Sequence, residues 1–121
     1  MFKIIDIDTA SSEPMENGRG HIVRLIDRRL GTEKIDLHLN RLVPGGPGGK
    51  LHRHSESDNI YIVRRGEGRL QIEDRVETIR EGEVVYIPAG TRHSLSNVSS
   101  APLELFEIYA PAGERFDFIA D

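Results

Sequence analysis

Glycine and proline interrupt this chain so often that the apolar runs between them stay short, and that punctuation limits the fold more than any other feature. Ile60-Tyr61-Ile62-Val63 is rich in β-branched and aromatic residues and ends at the turn Arg64-Arg65-Gly66-Glu67-Gly68. Arg69 to Glu73 and Val76 to Ile79 flank Asp74-Arg75 as a hairpin, and Glu81-Gly82 turns the chain again. Val84-Val85-Tyr86-Ile87 reads as a buried strand stopped by Pro88-Ala89-Gly90. Thr91 to Asn97 begins the next extended piece, and Leu103 to Tyr109 is the last strong strand, closed by Pro111. Many short strands with such spacing predict an all-β barrel or sandwich.

The N-terminal third is less regular. Phe2 to Ile7 predicts a short edge strand or arm, and Thr9 to Gly20 a loop, on the turn residues Ser11, Ser12, Pro14, Asn17, Gly18 and Gly20. His21 to Leu30 fits both a helical face and a two-sided strand, so periodicity leaves it open. After Gly31-Thr32, Ile35 to Asn40 alternates as a half-buried strand, with Ile35, Leu37 and Leu39 on one face and His38 and Asn40 on the other.

Composition narrows the function. The chain has 121 residues, the length of one domain able to bury a real core. Its net charge of −4 is dispersed, and no basic run exceeds Arg28-Arg29 or Arg64-Arg65, so nucleic-acid binding has no electrostatic footprint. There is no cysteine, which removes disulfides, thiolate metal sites and cysteine nucleophiles together. No apolar run approaches membrane-spanning length and the N-terminus lacks a secretory pattern, so the expectation is a soluble cytoplasmic protein with no membrane partner.

Against that background His52-Arg53-His54 carries the chemistry. Two side chains at i and i+2 of an extended segment share a face, about 6.6 Å apart at Cα, so both rings can reach one ion. Neutral imidazole suits zinc, copper, iron and nickel, and the pair alone does not choose among them. Two surface polar residues after a glycine-rich turn is the competing reading.

The residues from Gly46 to Asn97 resemble the cupins, small double-stranded β-barrels of jelly-roll type. The first cupin motif finds Gly46, His52, His54 and Gly66 in place (46–66), and the second finds Gly82, Pro88, Gly90, His93 and Asn97 (82–97). The resemblance implies an all-β double-stranded β-helix, a single cupin domain over 1–121 with an N-terminal strand and loop in 1–20. It also implies that His52, His54 and His93 converge on one divalent metal inside the barrel. The chain departs from the pattern at the usual glutamate ligand, where Asn59 stands with Asp58 beside it. If Asn59 starts its strand, Asn59, Tyr61 and Val63 share a face and Asp58 points away. Asn59 is then a weak, uncharged fourth position. A three-imidazole centre keeps the ion's full double charge, which makes it more electrophilic and favours zinc, nickel, iron or copper over manganese.

Further pocket candidates are Tyr61, His38 and Arg92. Tyr61 is otherwise a core aromatic, His38 a solvent-facing or structural histidine, and Arg92 a solvated arginine. No general base stands out within the motifs, so the catalytic residues are not assigned. Three functions fit: a metal-dependent enzyme on a small metabolite (a dioxygenase, or a lyase or isomerase), a metal-bearing binding module, and a metal-free small-molecule binder. The resemblance further implies a homodimer, for which outward-facing Ile60 and Ile62 would supply buried area.

Overall fold

A computed structural model describes residues 2–120. Its strands are β1 (Ser12–Pro14), β2 (Gly20–Ile26), β3 (Asp36–Leu42), β4 (Asp58–Arg65), β5 (Glu67–Ile72), β6 (Arg75–Arg80), β7 (Val84–Ile87), β8 (His93–Ser96) and β9 (Leu103–Ala110). They form a six-stranded sheet in the order β1-β2-β3-β9-β4-β7 and a three-stranded sheet in the order β6-β5-β8. Every strand pairing is antiparallel. This is the all-β double-stranded β-helix that the sequence predicts. Among the described residues no helix is long and apolar enough to cross a membrane.

The inward faces pack into a core of Leu42, Tyr61, Val63, Leu70, Ile79, Ile87, Leu95, Leu103 and Leu105. Both sheets contribute to it, which is why alternation is so clear in β4 and β9: every second side chain leaves water. As expected, Asn59, Tyr61 and Val63 all point inward. A second cluster, Val23, Leu25 and Leu39, lies on the other side of the large sheet, where Ile5, Ile7 and Ala10 pack against it.

That second cluster corrects two expectations. Phe2 to Ile7 forms no strand, because β1 already occupies the edge of β2 within the segment expected to be only a loop. The N-terminal residues contribute side-chain cover instead of backbone pairing. The alternation in β3 holds, with Leu37 and Leu39 facing this outer cluster, while the polar face is not solvated: His38 and Asn40 are buried on the barrel side. The undecided His21 to Leu30 segment is mostly strand, followed by a 3-10 turn over Arg28–Leu30. Asp27 caps that turn by accepting from the Arg29 amide at 3.0 Å.

β7 is a correction as well. It was expected to be buried, yet Val84 and Tyr86 are 65% and 62% exposed, and only Ile87 is fully covered. The strand sits at the sheet edge, paired on one side with β4. β-branched runs mark strands whether they are central or at an edge, so composition alone could not place it.

Two motif glycines differ in what fixes them. Gly66 has φ +81° and a Cβ there would lie 2.3 Å from the Pro102 carbonyl oxygen, whereas Gly82 has φ +85° but nothing within 4 Å. Both substitutions to alanine incur the left-handed backbone cost, on the order of 1 kcal/mol. Only Gly66→Ala must also displace backbone, so urea denaturation should show it to be the more destabilising of the two, by about 1–3 kcal/mol. Equal losses would contradict the close approach.

Candidate metal centre

His52 and His93 meet as an isolated antiparallel bridge that draws the two motifs together. The His52 amide donates to the His93 carbonyl at 3.0 Å, and the His93 amide returns the bond at 2.8 Å. The His52 and His93 rings are 4.3 Å apart, those of His52 and His54 4.9 Å, and those of His54 and His93 5.3 Å. One nitrogen from each of the three rings can be chosen so that all lie within 4.8 Å of one another. The residues singled out by spacing are therefore the ones the fold assembles.

The backbone sets which nitrogen is free. Each Nδ1 lies against a carbonyl: His52 on Lys50 at 2.7 Å, His54 on Asp117 at 2.6 Å, and His93 on Thr91 at 2.9 Å. A carbonyl only accepts, so each Nδ1 carries the proton and each Nε2 a lone pair. The His54 and His93 Nε2 atoms are buried and have no partner within the protein. Burial, above all, lowers the pKa of His52 to about 4 and also lowers that of His93. Those two rings are thus neutral at ordinary pH. Fixed tautomer, neutral ring and unpartnered lone pair are what a metal-ligating imidazole requires, so the donor set fits a divalent transition ion.

The C-terminal tail completes the surroundings. Arg53 and Ile119 exchange two backbone bonds of 3.0 Å, which lays the tail along the histidine segment. Phe118 stacks on the His52 ring at 4.2 Å, and Phe116 lies 4.8 Å from His54 and 4.3 Å from Tyr109. The Asp117 carboxylate accepts from the Ser55 amide at 2.7 Å and from the Ser55 hydroxyl. None of these residues was singled out from sequence. The alternation Phe116-Asp117-Phe118-Ile119 was the available signal, and in the structure it forms an isolated bridge at Ile119.

The larger omission was Glu107. It faces inward on β9 between cross-strand neighbours His38 and Tyr61. Its Oε1 accepts from His38 Nε2 at 2.9 Å and from Asn40 Nδ2 at 2.8 Å, and its Oε2 accepts from Asn59 Nδ2 at 2.9 Å. Tyr109 adds a further side-chain bond. Burial alone would raise the Glu107 pKa, but bonds to His38, Asn40 and Tyr109, with the His38 charge, bring it below the usual carboxylate value. The position was legible as the acid that interrupts an inward series, Leu103, Leu105, Glu107.

The other candidates fall into place around it. His38 is buried, with Nδ1 2.8 Å from Asp36 Oδ1, so its partner lay two residues away in sequence on the same strand face. Tyr61 is core, its ring 6.4 Å from that of His93, and burial with the Glu107 charge pushes its hydroxyl well above the ordinary pKa. Asp58 points away from the rings as expected, accepting from the Ala89 amide at 3.0 Å and the Tyr86 hydroxyl at 3.3 Å. Arg92 is exposed, and its amide donates to Glu73 at 3.0 Å. Two surface grooves of about 400 and 420 Å³ lie elsewhere and include none of the three rings in their walls.

His38 generates a pH dependence. Burial works against its charge, but hydrogen bonds to Asp36 and Glu107, and their charges, more than offset it and bring its pKa to about 9 from 6.5. A pKa raised by folding adds stability that is fully present below about pH 6.5 and is lost as pH rises through about 9. Urea unfolding should therefore weaken by on the order of 3 kcal/mol across that window. His38→Gln should remove most of the slope, and an unchanged slope in that variant would place its origin elsewhere.

Comparison with known proteins agrees with this geometry. The chain is 31% identical over 105 residues to a functionally uncharacterised protein of Methanocaldococcus jannaschii, covering 86% of this chain and 84% of the other. It is 26% identical over 96 residues to the oxalate-binding protein of Thermotoga maritima, covering 78% and 79%. The polyketide cyclase RemF from Streptomyces resistomycificus shares the fold, with a TM-score of 0.85 at 20% identity over 99% of this chain and 85% of that one. Residues 38–109 match the Cupin domain family, and with both histidine motifs converging in one barrel, the chain belongs to the cupins.

Proposed function

We propose that His52, His54 and His93 hold one divalent transition metal, and that the chain is an enzyme presenting that ion to a small oxygen-rich metabolite. The observation that carries this reading is the tautomer lock: three Nδ1 protons committed to backbone carbonyls, with the Nε2 lone pairs left to a common centre. Three neutral rings suit zinc, nickel, iron or copper better than manganese, which prefers carboxylate. When bound, such an ion supplies Lewis acidity to a carbonyl or carboxylate oxygen.

Oxygenation through a redox metal and lyase or isomerase chemistry through a Lewis-acid metal both fit such a centre. Glu107, with His38 behind it, places a hydrogen-bonded carboxylate–imidazole pair in the barrel interior. Phe116 and Phe118 set aromatic rings against His54 and His52. A relative named for binding oxalate is consistent with a small oxyanion as ligand. A binding protein without turnover, with or without metal, is the alternative.

Elemental mass spectrometry of protein purified without a tag or chelator tests the reading. Near-stoichiometric metal is expected, with loss in a His52→Ala, His54→Ala double variant. No metal as purified and none on reconstitution would leave a metal-free binder.

We further propose a homodimer through the outer face of the large sheet. Across β7, β4 and β9, Val84, Ile62 and Phe106 form one row, and Tyr86, Ile60 and Ile108 the next. Val84, Tyr86 and Ile62 are exposed, an apolar strip of the kind that marks interfaces. Sedimentation should show a dimer that Ile62→Asp with Val84→Asp converts to monomer. An unaltered dimer would move the interface elsewhere.

A further inference from the structure

Among the described residues, the buried side-chain polar atoms without a protein partner are Asn40 Oδ1, Asn59 Oδ1, His54 Nε2 and His93 Nε2. All four are acceptors. The amide oxygens have only lone pairs, and the two imidazoles have spent their protons on backbone carbonyls. They cannot satisfy one another, and a buried unsatisfied polar atom costs about 1–3 kcal/mol. What such a set lacks is positive charge or donors.

The amide orientations have a single cause. Asn40 and Asn59 both give Nδ2 to Glu107, at 2.8 and 2.9 Å. An ionised carboxylate only accepts, so flipping either amide would set oxygen against oxygen and strand its NH₂ group. Glu107 thereby forces both amide oxygens to face away from itself. Asn59 is fully buried, its cross-strand neighbour on β9 is Tyr109, and the Tyr109 ring is 5.2 Å from that of His54. Its oxygen has no partner within the protein, and Asn59 shares its inward face with Tyr61, whose ring is 6.4 Å from that of His93.

We propose that Glu107 is a positioning residue that fixes Asn59 as a neutral oxygen donor completing the three-histidine centre. The carboxylate that cupins ordinarily place at this position is, in this chain, moved outward by one hydrogen bond, so the centre gains an uncharged ligand. The inference rests on the metal-centre reading above.

The test is a double-mutant cycle on metal-stripped protein titrated with Co²⁺, read by visible absorption and by competition with a chromophoric chelator. Asn59→Ala and Glu107→Gln should each weaken Co²⁺ binding by about 10–100-fold, the range for residues that orient a ligand. Both should shift the Co²⁺ absorption bands in the same direction. Because Glu107 acts through Asn59, Glu107→Gln should cost almost nothing in the Asn59→Ala background. A full additive loss in that background, or wild-type affinity and spectrum in Glu107→Gln, overturns the proposal while leaving the three-histidine centre standing. Absence of Co²⁺ binding by the wild-type protein overturns both.

A measurement on wild type covers the case in which Glu107→Gln does not fold. In ¹⁵N-labelled protein titrated with Zn²⁺, the Asn59 side-chain amide resonances should move strongly while those of Asn97, tied to the Leu42 and Ala101 carbonyls, stay in place. Unmoved Asn59 resonances upon saturation with Zn²⁺ count against the proposal.

Discussion

A single ionised carboxylate inside the barrel organises this structure. Burying an unpaired charge is prohibitive, so Glu107 can exist where it does only because neighbouring strands supply donors: His38 and Asn40 from β3, Asn59 from β4 and Tyr109 from β9 itself. Those bonds cross three adjacent strands of the large sheet and fix which of their residues face inward. A one-residue slip of β3 or β4 would send the donors to the outer face and leave the charge alone. The register of the sheet and the polarity of its interior are therefore one constraint.

The histidines obey a second constraint, imposed by backbone. His54 takes its tautomer from Asp117, sixty-three residues away, and the Asp117 side chain is in turn anchored on Ser55. The tail is thus part of the centre in the same sense as the motifs, since without its carbonyl the His54 ring could exchange its proton between nitrogens. Aromatic packing adds to this, because Phe118 stacked on His52 holds that ring's plane even though Phe118 itself is 53% exposed. Orientation of the rings comes from the carbonyls and the tail together, and spacing in the motifs only brings them near.

What could be read from sequence follows the range of the interaction involved. The His-x-His pair, the motif glycines and His93 are marked by local spacing, and local spacing survives folding. Hairpin β5–β6 was legible for the same reason. The exposure of β7 was not, because edge and centre strands share composition and differ only in neighbours. Phe2 to Ile7 has strand-like residues, but β1 takes the edge of β2 and the N-terminal segment contributes side chains to the outer cluster instead. His38 pairs with Asp36, two residues before it, but its decisive partner, Glu107, lies sixty-nine residues away on β9. Polar residues alternating with leucines usually mean a wet face, and here they mean a dry interior that contains a charge.

The electrostatic balance of that interior bears on what the centre can accept. The His38 imidazolium, with its pKa near 9, offsets the Glu107 charge, so the pair adds little net charge to the core. In the proposed centre, a divalent ion held by three imidazoles and a neutral amide would have its double charge uncompensated by its direct ligands. Phe116 and Phe118 pack beside the rings, Phe118 itself half exposed, and Coulomb attraction to an incoming anion would add to binding there. Under the proposed reading, such a centre would favour small oxyanions by charge. With Asn59 where the family places a carboxylate ligand, the proposed centre would leave the work of neutralising a bound ion to its ligand.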